Sequence, residues 1–198
     1  MLKRRKTITV KASSVKLGNS NPIVIQTMTK VPTTDTARCL RQIKKLAGAG
    51  CKLVRLAAPT SADTAAMVKI VEKSPIPIVA DIHFSAARAI EAIEAGACKI
   101  RLNPGNIRDR KDILRIIDAA KSHGTAIRAG VNEASIRDLK SESVPESKRV
   151  ALMLREMKKY VRLFEKQNFS NLVLSAKSAD TVRTIEINRA IAENFKYP

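Results

Sequence analysis

The chain has 198 residues, 44% of them hydrophobic, and a formal net charge of +19 from 37 Lys and Arg against 18 Asp and Glu. That length supports one sizeable core, the composition excludes a low-complexity or disordered chain, and no apolar run approaches the roughly 20 residues of a membrane-spanning helix. The basic start from Met1 to Lys6 leads into no apolar signal region, so the cytoplasm is the expected compartment, and the charge imbalance points to anionic partners.

In chain order, the alternation of Ile8, Val10, Ala12, Val15 and Leu17 up to Gly18-Asn19 predicts a short strand pair ahead of the main domain. Pro22 to Gln26 reads as an apolar strand. Thr34-Asp35 then caps a helix with Leu40, Ile43, Leu46 and Ala47 on its apolar face, ended by Gly48 and Gly50. Lys52 to Leu56 is a strand, and Ser61 opens a helix carrying Ala65, Val68 and Val71. Pro75 and Pro77 stop that helix and open the strand Ile78 to Asp81. Residues 85–95 form an Ala-rich helix ended by Gly96, residues 98–103 a strand, 110–122 a helix and 125–131 a strand. Arg137 to Lys148, with Pro145, reads as a loop. A long helix with Leu152, Leu154, Met157, Val161 and Phe164 follows, then a strand from Asn171 to Ala176 and a helix over 180–193.

Six βα units with nearly continuous apolar strands require a parallel α/β sheet covered by helices. Doubly wound and (β/α)₈ folds both meet that requirement. No Gly-x-Gly-x-x-Gly follows the first strand, and polar residues end nearly every strand instead of one switch point, which favours a TIM (β/α)₈-type barrel. Such barrels need eight units and typically about 250 residues. The expectation is an incomplete barrel of about six units over residues 1–198, interrupted at Tyr197-Pro198 before a seventh strand.

Arg55, Arg101, Arg128 and Lys177 each fall within or just after a short apolar run. They read as strand-end residues; on parallel neighbouring strands the C-terminal ends converge, and these cations meet in one place, suited to a multiply charged anion. Arg101-Leu102-Asn103-Pro104-Gly105-Asn106 adds a sharp turn that either exposes backbone N–H groups to a ligand, with Gly105 allowing close approach, or is a plain βα turn. Asp81 and His83 lie two residues apart at a strand end, spaced either to shuttle a proton and position a hydroxyl or to form a structural pair. Asn132 follows Arg128 by four residues. Lys177 is open to three readings: an anion contact, a Schiff-base lysine, or a snorkelling side chain. Cys39, Cys51 and Cys98 are widely separated, with no Cys-x-x-Cys; they read as buried small hydrophobes, and no metal ligands are assigned. His123, beside Gly124, reads as a helix C-cap.

Together these segments resemble the N-terminal domain of the 4-hydroxy-3-methylbut-2-enyl diphosphate synthase family. The resemblance is carried in order by Ile25 to Thr29, Val54-Arg55, Val79 to Phe84, Lys99 to Ile107, Ile127 to Asn132 and Ser175 to Asp180. It implies a dihydropteroate-synthase-like barrel followed by a C-terminal domain carrying a [4Fe-4S] cluster, whose ligands (three Cys and one Glu) this chain lacks. It further implies reductive opening of 2-C-methyl-D-erythritol 2,4-cyclodiphosphate in the non-mevalonate isoprenoid pathway. Electrons would come from ferredoxin or flavodoxin, and the full-length enzyme would be a homodimer. By match, Arg55, Arg101, Arg128 and Lys177 hold the diphosphate, with Asn132 beside them; Asp81, His83 and Asn103 position substrate or deliver a proton. Lys30-Val31-Pro32 departs from a more polar run in the family. The chain alone is expected to be inactive. The competing readings are a barrel lyase using Lys177 and a basic nucleic-acid-binding module; the latter lacks an aromatic stacking array.

Overall fold

The computed structural model describes residues 4–107, 109–136 and 144–198, so residues 137–143 of the predicted loop lie outside the described residues. An antiparallel hairpin, β1 (Val10–Ala12) and β2 (Val15–Leu17), precedes a six-stranded sheet. The sheet strands are β3 (Gln26–Met28), β4 (Leu53–Ala57), β5 (Ile78–Asp81), β6 (Lys99–Leu102), β7 (Ala126–Asn132) and β8 (Leu172–Lys177). Every neighbouring pair is parallel and the spatial order is the chain order, β3-β4-β5-β6-β7-β8. A doubly wound sheet reverses its order at a switch point; this one does not, which is the signature of barrel winding.

Between the strands run α1 (Thr36–Gly48), α2 (Ser61–Lys73), α3 (Ala86–Glu94), α4 (Arg110–Ser122) and α5 (Glu146–Lys166), and α6 (Thr181–Asn194) follows β8. Local chemistry sets their starts. Asp35, Ser85, Asp109 and Asp180 accept from backbone N–H groups of the first turn, and Thr60 with Asp63 forms a capping box. His123 sits at the C-cap of α4, as expected.

Strand pairing divides the sheet residues into two faces. Val54, Leu56, Ile78, Ala80, Ile100, Leu102, Ile127, Ala129, Val131, Leu172, Leu174 and Ala176 face the helices and join the main core. There they meet Cys39, Ile43, Met67, Ile70, Ile93, Ile116, Met157, Val161 and Phe164. The other face lines the lumen. At its N-terminal end Leu53, Val79, Cys98 and Ala126 pack with Val10 and Ala12, so the hairpin plugs the bottom of the barrel. Asn171 fixes that plug through two 2.9 Å bonds with the Lys11 backbone. The last residues lie along β8, where Leu174 N donates to Pro198 O at 2.9 Å.

Several expected details differ. The first sheet strand begins at Gln26, where β4 offers a partner, and Ile23 and Ile25 ahead of it are exposed. On α2 the buried residues are Asp63, Thr64, Met67 and Ile70, while Val68 is exposed, because the Thr60–Asp63 capping box and a Thr64–Glu91 bond of 2.5 Å set the rotation of the helix. Pro145 ends the loop before Lys148, and α5 begins at Glu146. Leu152 and Leu154 only flank the buried stripe of Met153, Met157, Val161 and Phe164. All three cysteines are free and buried.

Candidate anion-binding site

The lumen face builds the site in rows. Met28, Arg55, Val79, Lys99 and Ala126 stand in register across β3 to β7. Two residues further along the strands comes the row Ala57, Asp81, Arg101, Arg128 and Val173. Gly130 pairs with Ser175, and Asn132 with Lys177, at the C-terminal lip. Arg55, Arg101 and Arg128 are therefore mid-strand residues facing the lumen, and Lys177 alone ends its strand.

These side chains enclose a cavity of about 340 Å³ lined by Arg55, Asp81, His83, Arg101, Arg128, Asn132, Ser175 and Lys177, with Gly130 and Val131. Asp81, 6% exposed, holds two of the cations: its Oδ2 lies 3.5 Å from Arg55 Nε and its Oδ1 3.5 Å from Arg101 Nη1. Arg128 Nη2 donates to Ser175 Oγ at 2.5 Å. Burial, then the neighbouring Arg55 and Arg101 charges, lowers the Arg128 pKa. Four cations thus face one carboxylate, an excess that an anion would neutralise.

Asp81 and His83 share the cavity wall, but the Asp81 carboxylate is taken up by the two arginines, and no hydrogen bond joins it to His83 among the described residues. His83 is exposed at the lip, where its carbonyl accepts from Asn106 Nδ2 at 3.2 Å. Asn103 does not line the cavity. It is 3% exposed, donates to Ser135 Oγ at 2.9 Å, and Ser135 in turn donates to the Asn132 carbonyl at 2.7 Å. Asn103 is thus linked through Ser135 to the turn that carries Asn132. A Cβ on Gly105 would lie 2.8 Å from the Tyr160 hydroxyl, so this glycine makes room for Tyr160 of α5. Lys177 is exposed, whereas a Schiff-base lysine is activated by desolvation in an apolar pocket.

Sequence reasoning passed over three parts of this region. Ser175 orients Arg128. Lys99 is a buried lumen lysine whose spacing of two from Arg101 already placed it on the same strand face. Glu133 is the third: 8% exposed, it receives Arg149 Nη1 at 3.0 Å, Arg183 Nη1 at 3.0 Å and the Ser178 hydroxyl, tying the ends of β7 and β8 to α5 and α6. Burial would raise its pKa, but these bonds from Ser178, Arg149 and Arg183 hold it below the ordinary value. These partners are distant in sequence, so no local motif announces them.

Among the described residues no group of three or more His, Cys, Asp or Glu is placed to hold a metal ion. Cys39 donates to the Pro32 carbonyl at 3.3 Å, and burial pushes the Cys98 thiol up to about 12. No helix among the described residues is long and apolar enough to cross a membrane.

The GcpE TIM-barrel domain family matches residues 7–198. The 4-hydroxy-3-methylbut-2-en-1-yl diphosphate synthase (flavodoxin) of Malacoplasma penetrans is 43% identical over 197 residues, covering 98% of this chain and 53% of the relative. The enzyme of the same name from Persephonella marina is 40% identical over 200 residues, covering 100% and 56%. The chain spans about half the length of the curated relatives it matches. Among solved structures, Burkholderia cenocepacia dihydropteroate synthase superposes with a TM-score of 0.65 at 13% identity, over 87% of this chain and 64% of the other. Thermotoga maritima phospho-2-dehydro-3-deoxyheptonate aldolase gives 0.64 at 12%, over 98% and 54%. At those identities the likeness concerns the fold alone. With residues 7–198 matched, the chain belongs to the GcpE TIM-barrel domain family, and its six parallel strands form an incomplete TIM barrel.

Proposed function

We propose that this chain is the substrate-binding barrel part of a 4-hydroxy-3-methylbut-2-en-1-yl diphosphate synthase, and that its lumen cavity holds the diphosphate of 2-C-methyl-D-erythritol 2,4-cyclodiphosphate. One observation carries the reading: Arg55, Arg101, Arg128 and Lys177 converge on a single cavity in which Asp81 is the one carboxylate of the lining. Charge-assisted hydrogen bonds contribute about 1.5–3 kcal/mol each, and guanidinium groups meet phosphate oxygens bidentately. Asp81 orients Arg55 and Arg101 before the anion arrives, Ser175 does the same for Arg128, and Lys177 and Asn132 close the lip. Such preorganisation lowers the ordering cost of binding.

His83 stands at the lip with no side-chain hydrogen bond among the described residues, in a position to deliver a proton to a departing hydroxyl. A [4Fe-4S] cluster would relay the two electrons of the reductive opening from an external donor. The residues of this chain do not fit such a cluster, since its three cysteines are buried apart, and we assign the cluster and the flavodoxin contact to the remaining half of a full-length synthase. Calorimetric titration of the chain with the cyclic diphosphate tests the reading. Arg101→Ala and Arg128→Ala should each weaken binding by about tenfold or more, the loss of one charge-assisted bond. Unchanged affinity in both variants would overturn the assignment.

A further inference from the structure

Below the cavity the lumen holds a lysine that the proposed diphosphate contacts do not use. Lys99 is 4% exposed and stands two residues before Arg101 on the same face of β6. Its Nζ spans the lumen to Gln26 Oε1 on β3 at 2.9 Å, its one hydrogen bond among the described residues. An ammonium has three donors, and a buried one with a single amide partner is costly unless a counter-charge compensates it.

Among the described residues no carboxylate pairs with it. Gln26 faces it from β3, Arg55 from β4 and Arg128 from β7, while the Cys98 thiol precedes it on β6. Asp81 of β5, in the row above, is engaged by Arg55 and Arg101. Burial, with the Arg128 and Arg55 charges adding to it, pushes the Lys99 ammonium down to about 8. The positive charges that disfavour its protonation are those an anion in the cavity would neutralise. Two residues along a strand span only about 6.6 Å, less than one screening length in physiological salt.

We propose that Lys99 is a protonatable floor beneath the anion site: at alkaline pH, where Lys99 of the empty barrel has lost its proton, a multiply charged anion held by Arg101 and Arg128 draws a proton from solvent back onto Lys99, so that the protein around the anion there carries up to one more positive charge than the empty barrel. Lys99 does not touch the anion; it acts on it through the field in the lumen. The inference rests on the anion-site reading above. Because linkage is reciprocal, proton uptake on binding means that anion affinity depends on pH.

The test uses trimetaphosphate, a cyclic polyphosphate whose own charge stays constant over the range, titrated calorimetrically into the chain from about pH 7 to about pH 10. The wild type should bind with level affinity up to about pH 8 and lose up to about tenfold per pH unit above it. Near pH 9, buffers of different ionisation enthalpy should report proton uptake. Lys99→Met should bind more weakly at neutral pH and show no inflection; Lys99→Gln, which keeps a donor for Gln26, serves equally should Lys99→Met not fold. Lys177→Arg should keep the inflection. A wild-type profile that is flat, or an inflection that survives in the Lys99 variant, overturns this inference and leaves the anion site standing. Absence of binding at any pH, or binding indifferent to Arg101→Ala, overturns both.

Discussion

Asp81→Asn isolates the electrostatic logic of the lumen. The carboxylate lies 3.5 Å from Arg55 and from Arg101, and the three side chains are 8%, 26% and 16% exposed. At an effective dielectric constant near 20, each pair amounts to about 4–5 kcal/mol of Coulomb attraction before desolvation. The residual exposure of the arginines and relaxation of the freed cations reduce this, and removing one partner of a buried pair costs about 3–5 kcal/mol. We expect a loss of about 3 kcal/mol, or roughly 6–12 °C in Tm for a chain of this size. The neutral amide leaves Arg55, Arg101 and Arg128 without their carboxylate, so an added anion should replace it. Differential scanning calorimetry in chloride and in sulfate reads both effects. The deficit should be largest in low-salt chloride and shrink as sulfate fills the cavity. A variant as stable as the wild type, or a deficit of the same size in saturating sulfate, would refute the reasoning.

Three further outcomes follow from the same contacts. Glu133→Gln should lower stability by about 3 kcal/mol at neutral pH in urea denaturation, since it leaves Arg149 and Arg183 facing a neutral group. Because the folded pKa of Glu133 is depressed, its contribution is complete above the ordinary carboxylate range and is lost as pH falls through the folded value; the variant should show a flatter acid limb. For Lys99, lowered from 10.5 to about 8, the sign reverses: the cost of its charge is fully present below about pH 8 and fades as pH rises toward the unfolded value. The stability of the wild type should therefore gain on that of Lys99→Met by about 3 kcal/mol between those limits, measured by denaturant titration at each pH. Gly105→Ala forces a Cβ to 2.8 Å from the Tyr160 hydroxyl and should cost about 1–3 kcal/mol, with the Tyr160 environment changed in its near-ultraviolet spectrum.

Much of this architecture is legible in the sequence because short apolar runs and βα punctuation are local signals. Arg55, Arg101 and Arg128 stand out as cations embedded in apolar runs, which only a lumen-facing position explains. Their placement in mid-strand is less legible. A strand in a barrel continues through polar residues, so the end of an apolar run is not the end of the strand; β7 runs on past Arg128 to Asn132. Ile23 and Ile25 mislead in the other direction, being apolar yet exposed ahead of the first paired residue. Asn103 and Gly105 carry a turn motif whose partners, Ser135 and Tyr160, come from distant elements, so these contacts are not legible locally. The Glu133 cluster gathers residues 16 and 50 positions away, a pattern without period or motif.

The central claim is that the lumen cations hold a diphosphate. A crystal structure of the chain soaked with 2-C-methyl-D-erythritol 2,4-cyclodiphosphate tests it most directly. The two phosphorus atoms should lie within the cavity, their oxygens bonded to Arg101, Arg128 and Lys177, with Asp81 still paired to Arg55. Phosphate density on the exposed basic residues of α4 and α5, with the lumen filled only by water, would contradict it.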